Sequence, residues 1–461
     1  MRQTAREIAQ AVSQGSMDPV GRVAQAILAC EASQARLNAL TVIDGTKAMV
    51  DAETIRHRLI AGETLPLAGV PIVVKDNIWV GGWPITQGSI AFQKHIAPRD
   101  ALCVERARRA GAVVVAIGHC PEFACKGNTK SLLHGITRHP MNPTLTPGGS
   151  SGGNVAIVAD GAVPLSIGTD GGGSSRRPPA HCGLVGFKPS YGAIPHPFGF
   201  AEPFWWITSI SPITLDVTDA ALLFEVMAGP DVRDPESRAI AAYRGEDALG
   251  LRLAYHPTLG LDAPVDADVA TAFEAAIAVL QTGGLALSQA APDWPPVALR
   301  SHLAAIQFAG LAALHGEAYR KAPDMTDPDV AVQIEAGFKA SGTDVALGLE
   351  ASQQIRRALG AFFVDHDLLV SPTTPCVAWP HGQLGPPEIG GKPVDPRGHA
   401  AFTPWFNHGQ NPAISIPCGY GRDGLPVGLQ IAGAVGEDWR VLAFAAEAER
   451  LFAEAGLWTG L

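Results

Sequence analysis

Two clusters of glycine and serine hold the residue types that acyl-transfer chemistry needs: Gly148-Gly149-Ser150-Ser151-Gly152-Gly153 and Thr169-Asp170-Gly171-Gly172-Gly173-Ser174-Ser175-Arg176. Glycine permits positive φ and close backbone approach, so such runs let successive N–H groups converge on one point, as an anion or a developing oxyanion demands. Taken singly, most clusters of this kind are tight turns. Ser150 and Ser174 are 24 positions apart, with one apolar helix-to-strand passage from Val155 to Ile167 between them; two unrelated turns explain that pairing less simply. A third element, Gly69-Val70-Pro71-Ile72-Val73-Val74-Lys75-Asp76-Asn77-Ile78, ends an apolar strand on a lysine. Apolar surroundings disfavour the ammonium form, lower the pKa and make neutral amine available as a base near pH 7. The competing reading is a lysine that snorkels out of the strand end or pairs with Asp76.

Gly149-Ser150-Ser151-Gly152-Gly153 also fits G-x-S-x-G, the nucleophile elbow of the α/β-hydrolases, with His366, His399 or His408 as the base. That motif must follow a strand, and Thr144-Leu145-Thr146-Pro147 is a poor one because proline removes a ladder donor. Among the seven cysteines, Cys120 and Cys125 lie five apart beside His119. No second Cys/His pair follows at ligand spacing, so no metal is expected.

The elements that must position these residues alternate. Residues 4–37 have helical periodicity broken near Gly15–Pro19. Short β-branched runs follow at Val70–Val74, Ala112–Ile117, Leu165–Ile167, Leu184–Phe187, Leu251–Tyr255, Leu368–Val370 and Ala413–Ile416. Helical stretches separate them, an α/β pattern with a long, largely buried sheet. Residues 266–282, 297–322, 327–340 and 343–364 are expected to be helical, giving a peripheral helical region over about 260–365. Eight prolines between Ser371 and Pro404 predict a stiff loop without regular ladders, of the kind that borders sites.

Composition narrows the function classes. With 461 residues, 47% hydrophobic and 17% charged, the chain is long enough for a large core and is neither disordered nor a coiled coil. Asp plus Glu number 44 against 34 Lys plus Arg, a net charge of −10, which argues against nucleic acid as the main ligand. Uninterrupted apolar runs such as Ala112–Ile117 fall far short of the ~20 residues that span a bilayer, so no membrane partner is expected. The cysteines are odd in number and scattered, and the first residues enter an amphipathic pattern instead of a cleavable apolar leader. Reduced thiols in a cytoplasm are therefore expected.

The Lys75 segment, both glycine clusters and Cys182-Gly183-Leu184-Val185-Gly186-Phe187-Lys188-Pro189-Ser190 together resemble the amidase signature family. The likeness continues through Ser211-Pro212-Ile213-Thr214, Leu369-Val370-Ser371-Pro372-Thr373-Thr374-Pro375 and Asn411-Pro412-Ala413-Ile414-Ser415-Ile416-Pro417-Cys418-Gly419. It implies one amidase signature domain over 1–461 with its core at about 67–192, and a large, twisted, mixed central sheet covered by helices on both faces. It also implies a Ser-cisSer-Lys triad: Ser174 as nucleophile, Ser150 as the bridging serine after a cis peptide bond, Lys75 as base. By the same resemblance, the N–H groups of Gly171, Gly172, Gly173 and Ser174 form an oxyanion hole. Ser151 and Thr169 supply supporting hydroxyls, Asp170 and Arg176 an ion pair bracing the turn, and Ala124 the backbone bordering the substrate amide. The chain departs from the family pattern at Ile117-Gly118-His119-Cys120 and at His139-Pro140.

The expected reaction is cofactor-independent hydrolysis of a small aryl or aliphatic carboxamide through an acyl-enzyme, with ester or carbamate cleavage as a side activity. Phe204, Trp205, Trp206 and Trp405 are candidates for an apolar substrate pocket, against the alternative of ordinary core packing. Two other readings stand: the A subunit of a tRNA-dependent glutamine amidotransferase, and a nonenzymatic metabolite-binding or scaffold protein on a decayed amidase fold. A homodimer is left open.

Overall fold

Successive side chains of a strand point to opposite faces, so a strand buried at every position needs cover on both sides. Pro71–Lys75, Val113–Gly118, Leu165–Asp170, Ser209–Thr214 and Pro426–Gly433 are all of this kind. The computed structural model, which describes residues 2–241 and 250–460, assembles them into one mixed sheet of 11 strands flanked by helices. Met1, 242–249 and Leu461 lie outside the described residues. The first half of the sheet runs Leu40–Ile43, Val113–Gly118, Pro71–Lys75, Leu165–Asp170, Ser209–Thr214, Val185–Lys188. The second continues Ala413–Tyr420, Pro426–Gly433, Leu368–Pro372, Leu253–Tyr255, Leu287–Gln289.

Pro71–Lys75 is parallel to both its neighbours, Val113–Gly118 and Leu165–Asp170, with Val74 opposite Ile167. Parallel neighbours end on the same edge, which brings Lys75 beside the Thr169–Asp170 turn. Carboxyl ends of strands are where open α/β sheets place ligands. The connection between the two serines is the helix Gly152–Ala159 followed by the strand Leu165–Asp170, both buried throughout.

The N-terminal break is as expected. Ala5–Ser13 has a Thr4–Glu7 capping box, and Pro19–Leu37 starts at an Asp18 cap with proline in its first turn. Four strands had no clear signal: Leu40–Ile43, Ser209–Thr214, Leu287–Gln289 and Pro426–Gly433. Proline masks two of them. Pro426 opens its strand. Pro212 pairs with Ile167 on one side, while the Val185–Lys188 pairing reaches only Ile213 and Thr214. The 260–365 region is not wholly peripheral, because Ala267–Thr282 packs on Ala413–Tyr420 and Leu287–Gln289 joins the sheet. Pro328–Lys339 and Gly342–Asp365 both pack on Leu303–Lys321. The expected ladder-free loop contains a short antiparallel pair, Glu388–Ile389 with Lys392–Pro393, turned by Gly390 and Gly391 at positive φ.

All seven cysteines are free and buried. One segment, Val297–Lys321, is long and apolar enough to cross a membrane by length and composition, which the uninterrupted-run criterion missed. Within it Arg300 and Gln307 line the cavity described below.

Candidate active site

Lys75 neither snorkels nor pairs with Asp76. Its side chain is buried, with Nζ 2.8 Å from Ser150 Oγ, 2.8 Å from Thr169 Oγ1 and 3.3 Å from Thr169 O. Asp76 instead accepts hydrogen bonds from Thr86 N, Thr86 Oγ1 and Gly88 N. A neutral amine has two N–H donors and one lone pair, so with Thr169 accepting both donors the lone pair is left to the Ser150 hydroxyl. Burial pushes the Lys75 pKa down to about 8, against the opposing pull of Asp170 and Glu202. The Gly149–Ser150 peptide is cis. Ser151 Oγ lies 3.4 Å from both Thr169 O and Ser175 Oγ.

The second cluster turns sharply after its strand. Asp170 Oδ1 accepts from Gly173 N at 2.6 Å, and Arg176 meets the Asp170 carboxylate with both Nε and Nη2 at 3.0 Å. Both side chains are out of solvent. Burial alone would raise the Asp170 pKa; the Arg176 guanidinium and the Asn407 amide hold it below the usual carboxylate range. Arg176 further donates to Gln430 Oε1 at 2.7 Å and Asn407 Oδ1 at 2.5 Å.

This bracing changes the expected set of oxyanion donors. The Gly173 N–H is occupied by Asp170, so it is not available to a ligand. Among the described residues, the N–H groups of Gly171, Gly172 and Ser174 have no intrachain acceptor. Gly171, Gly172 and Ser174 line the same cavity as Ser150 and Thr169. The Gly172 carbonyl is held by Arg177 Nη1 and by Thr403 Oγ1 at 2.8 Å. Gly173 has φ +112°, and a Cβ there would stand 2.1 Å from Thr403 Oγ1. Gly173→Ala is therefore expected to cost about 2–5 kcal/mol of stability together with most activity. Thermal unfolding and turnover measured side by side check this, and an unchanged midpoint would mean that the turn is looser than described.

Ser174 Oγ makes no hydrogen bond to Ser150 Oγ among the described residues, although both residues line one cavity.

The cavity has a volume of about 490 Å³. Of the aromatics expected in it, Phe204 and Trp405 line the wall, as does Ala124 at φ +56°. Trp205 and Trp206 do not. Their rings stack on each other, centroids 6.1 Å apart, and Trp205 is 42% exposed. Phe123, which stacks on His315, and Phe200 line the cavity instead.

Sequence reasoning missed the charged wall. Arg177, Arg300, Arg397 and Glu202 all line the cavity, and burial pushes Glu202 up to about 7. Arg177 had a signal, three residues after Ser174; the others converge from distant segments. Of the elbow-type histidines, His399 and His408 reach the cavity, but Ser352 and not an active serine bonds His408 Nδ1. His366 bonds Phe362 O. His119 is held between Thr137 Oγ1 and Ser131 Oγ. Among the described residues no group of three or more His, Cys, Asp or Glu could hold a metal ion.

The family model described as Amidase matches residues 22–442. An acylamidase from Rhodococcus erythropolis is 35% identical over 97% of this chain and 94% of its own length. The A subunit of glutamyl-tRNA(Gln) amidotransferase from Symbiobacterium thermophilum is also 35% identical, over 86% of this chain and 85% of its own. Among solved structures, a bacterial aryl acylamidase of the amidase signature family superposes with a TM-score of 0.89 at 27% identity, covering 99% of this chain and 97% of that one. With matching sequence, matching fold and a buried lysine on a glycine-framed serine, the chain belongs to the amidase signature family and is an amidase.

Proposed function

We propose that the chain cleaves the C–N bond of a small aryl or aliphatic carboxamide through a seryl acyl-enzyme, with ester and carbamate cleavage as side activities. The observation that carries this reading is the 2.8 Å contact of buried Lys75 with Ser150, in a cavity also lined by Ser174 and two glycines with unoccupied amides. Ser174 Oγ attacks the carbonyl carbon. Its proton passes to Ser150 Oγ as the Ser150 proton passes to neutral Lys75 Nζ. The oxyanion forms against the N–H groups of Gly171, Gly172 and Ser174, each such donor being worth ~10²–10³ in rate. The C–N bond breaks as Lys75, through Ser150, returns a proton to the departing amine, and water then releases the acid from Ser174 by the same relay in reverse. Thr169 keeps Lys75 aimed; Asp170 and Arg176 hold the turn.

The apolar part of the wall, Phe123, Phe200, Phe204, Ile207, Leu303 and Trp405, supports an aryl or aliphatic group on the substrate. The amidotransferase reading is favoured by the equal identity of the Symbiobacterium thermophilum relative. A substrate panel separates the two: hydrolysis of anilides or benzamides by the chain alone supports the proposal, whereas glutaminase activity that needs a partner protein replaces it. A serine-directed acylating probe should leave its adduct on the peptide carrying Ser174. An adduct on any other serine would overturn the assignment of the nucleophile.

A further inference from the structure

The chain as a whole is acidic, with net charge −10, yet its cavity is not. Three arginines line it, Arg177, Arg300 and Arg397, with Lys126, which is paired to Asp327 at 2.6 Å, against two carboxylates, Glu202 and Asp395. None of the three forms an ion pair among the described residues. Asp395 accepts from the backbone N–H of Arg397 at 2.7 Å. Glu202, pushed up to about 7 by burial, carries only part of its charge near neutrality.

The arginines differ in what they already hold. Arg177 donates to the carbonyls of Gly172 and Gly149 and to Thr403 Oγ1, tying the two glycine clusters together. Arg397 donates to Gln307 Oε1 at 3.1 Å and Gln333 Oε1 at 3.0 Å. Arg300 donates to nothing within the described residues. Its guanidinium stands over the Trp405 ring, 5.2 Å from the centroid, and its Nε is buried without a partner. Stacking fixes the face of a guanidinium and leaves its in-plane N–H edges open. Burying Nε without a partner is costly, and the two Nη groups, which are not buried, present to the cavity an edge that a planar carboxylate matches with two parallel hydrogen bonds.

We infer that the amide accepted here carries a carboxylate, held by the open edge of Arg300 over Trp405 in the same cavity as Ser174. This rests on the amidase reading and narrows its substrate class. Release of aniline or aminobenzoate from two matched pairs tests it: succinanilate against butyranilide, which puts the carboxylate on the acyl side, and 4-acetamidobenzoate against acetanilide, which puts it on the amine side. In at least one pair the carboxylate member should have the higher kcat/KM by about 10–100-fold, the preference weakening with salt. Arg300→Met should bring that ratio close to one and Arg300→Lys should keep part of it, with unfolding midpoints showing that both variants fold.

Equal or better turnover of the neutral member in both pairs overturns the inference, as does a preference that survives Arg300→Met. Failure of all four substrates overturns it too. In each case labelling of Ser174 by the acylating probe shows whether the amidase reading still stands.

Discussion

Ser174→Ala is expected to lower kcat by on the order of 10⁴–10⁶-fold while leaving the protein folded. Without the hydroxyl no acyl-enzyme forms, and what survives is binding plus the unoccupied amides of the glycine turn. The fold should tolerate the change because Ser174 is 7% exposed and its hydroxyl holds no other group in place among the described residues. The measurement is single-turnover hydrolysis of the best anilide beside thermal unfolding. Retention of more than about one hundredth of the activity would move the nucleophile elsewhere, Ser150 being the next candidate on the same cavity wall.

Lys75→Met is expected to remove activity about as completely, because the two hydroxyls lose their proton acceptor. Its second effect runs the other way. In the folded protein the Lys75 pKa is lowered to about 8, below its ordinary value of 10.5. Between those pH values the unfolded chain binds a proton that the folded one does not, so stability rises with pH across that window; below it, the buried ammonium is a standing burden. Methionine fills similar space without charge, so at pH 7 the variant should unfold at a higher temperature than the parent, and the gap should narrow toward pH 10. The same protonation governs rate. Parent kcat/KM should climb as pH rises through about 8 and then level off. A flat profile from pH 6 to 10, with chemistry rate-limiting, would exclude Lys75 as the base.

Much of the site was legible because its parts are local. Lys75 ends an apolar run, the cis peptide sits inside the first glycine cluster, and Asp170 finds Arg176 six residues on. Side-chain direction was not legible. An aromatic cluster at 204–206 says nothing about which ring faces inward, and Trp205 adopts φ +46°, which leaves it partly in solvent. Nor could glycine spacing reveal that one of the expected oxyanion donors, Gly173, is occupied by its own strand's aspartate. Arg300, Arg397 and Glu202 lie on three separate segments and meet only through the fold. Strands were legible where β-branched residues run unbroken and hidden where proline tolerates a one-sided pairing, as at Pro212.

The clamp on the glycine turn has a bearing on synthesis. Arg176 closes on Asn407 and Gln430, partners 231 and 254 positions further along the chain. A ribosome therefore exposes Lys75, Ser150 and Ser174 long before it makes the groups that clamp the glycine turn. Closing contacts over such separations costs loop entropy before it is repaid, and is slow. The glycine turn of the growing polypeptide thus stays unclamped until the segments carrying Asn407 and Gln430 are made and dock.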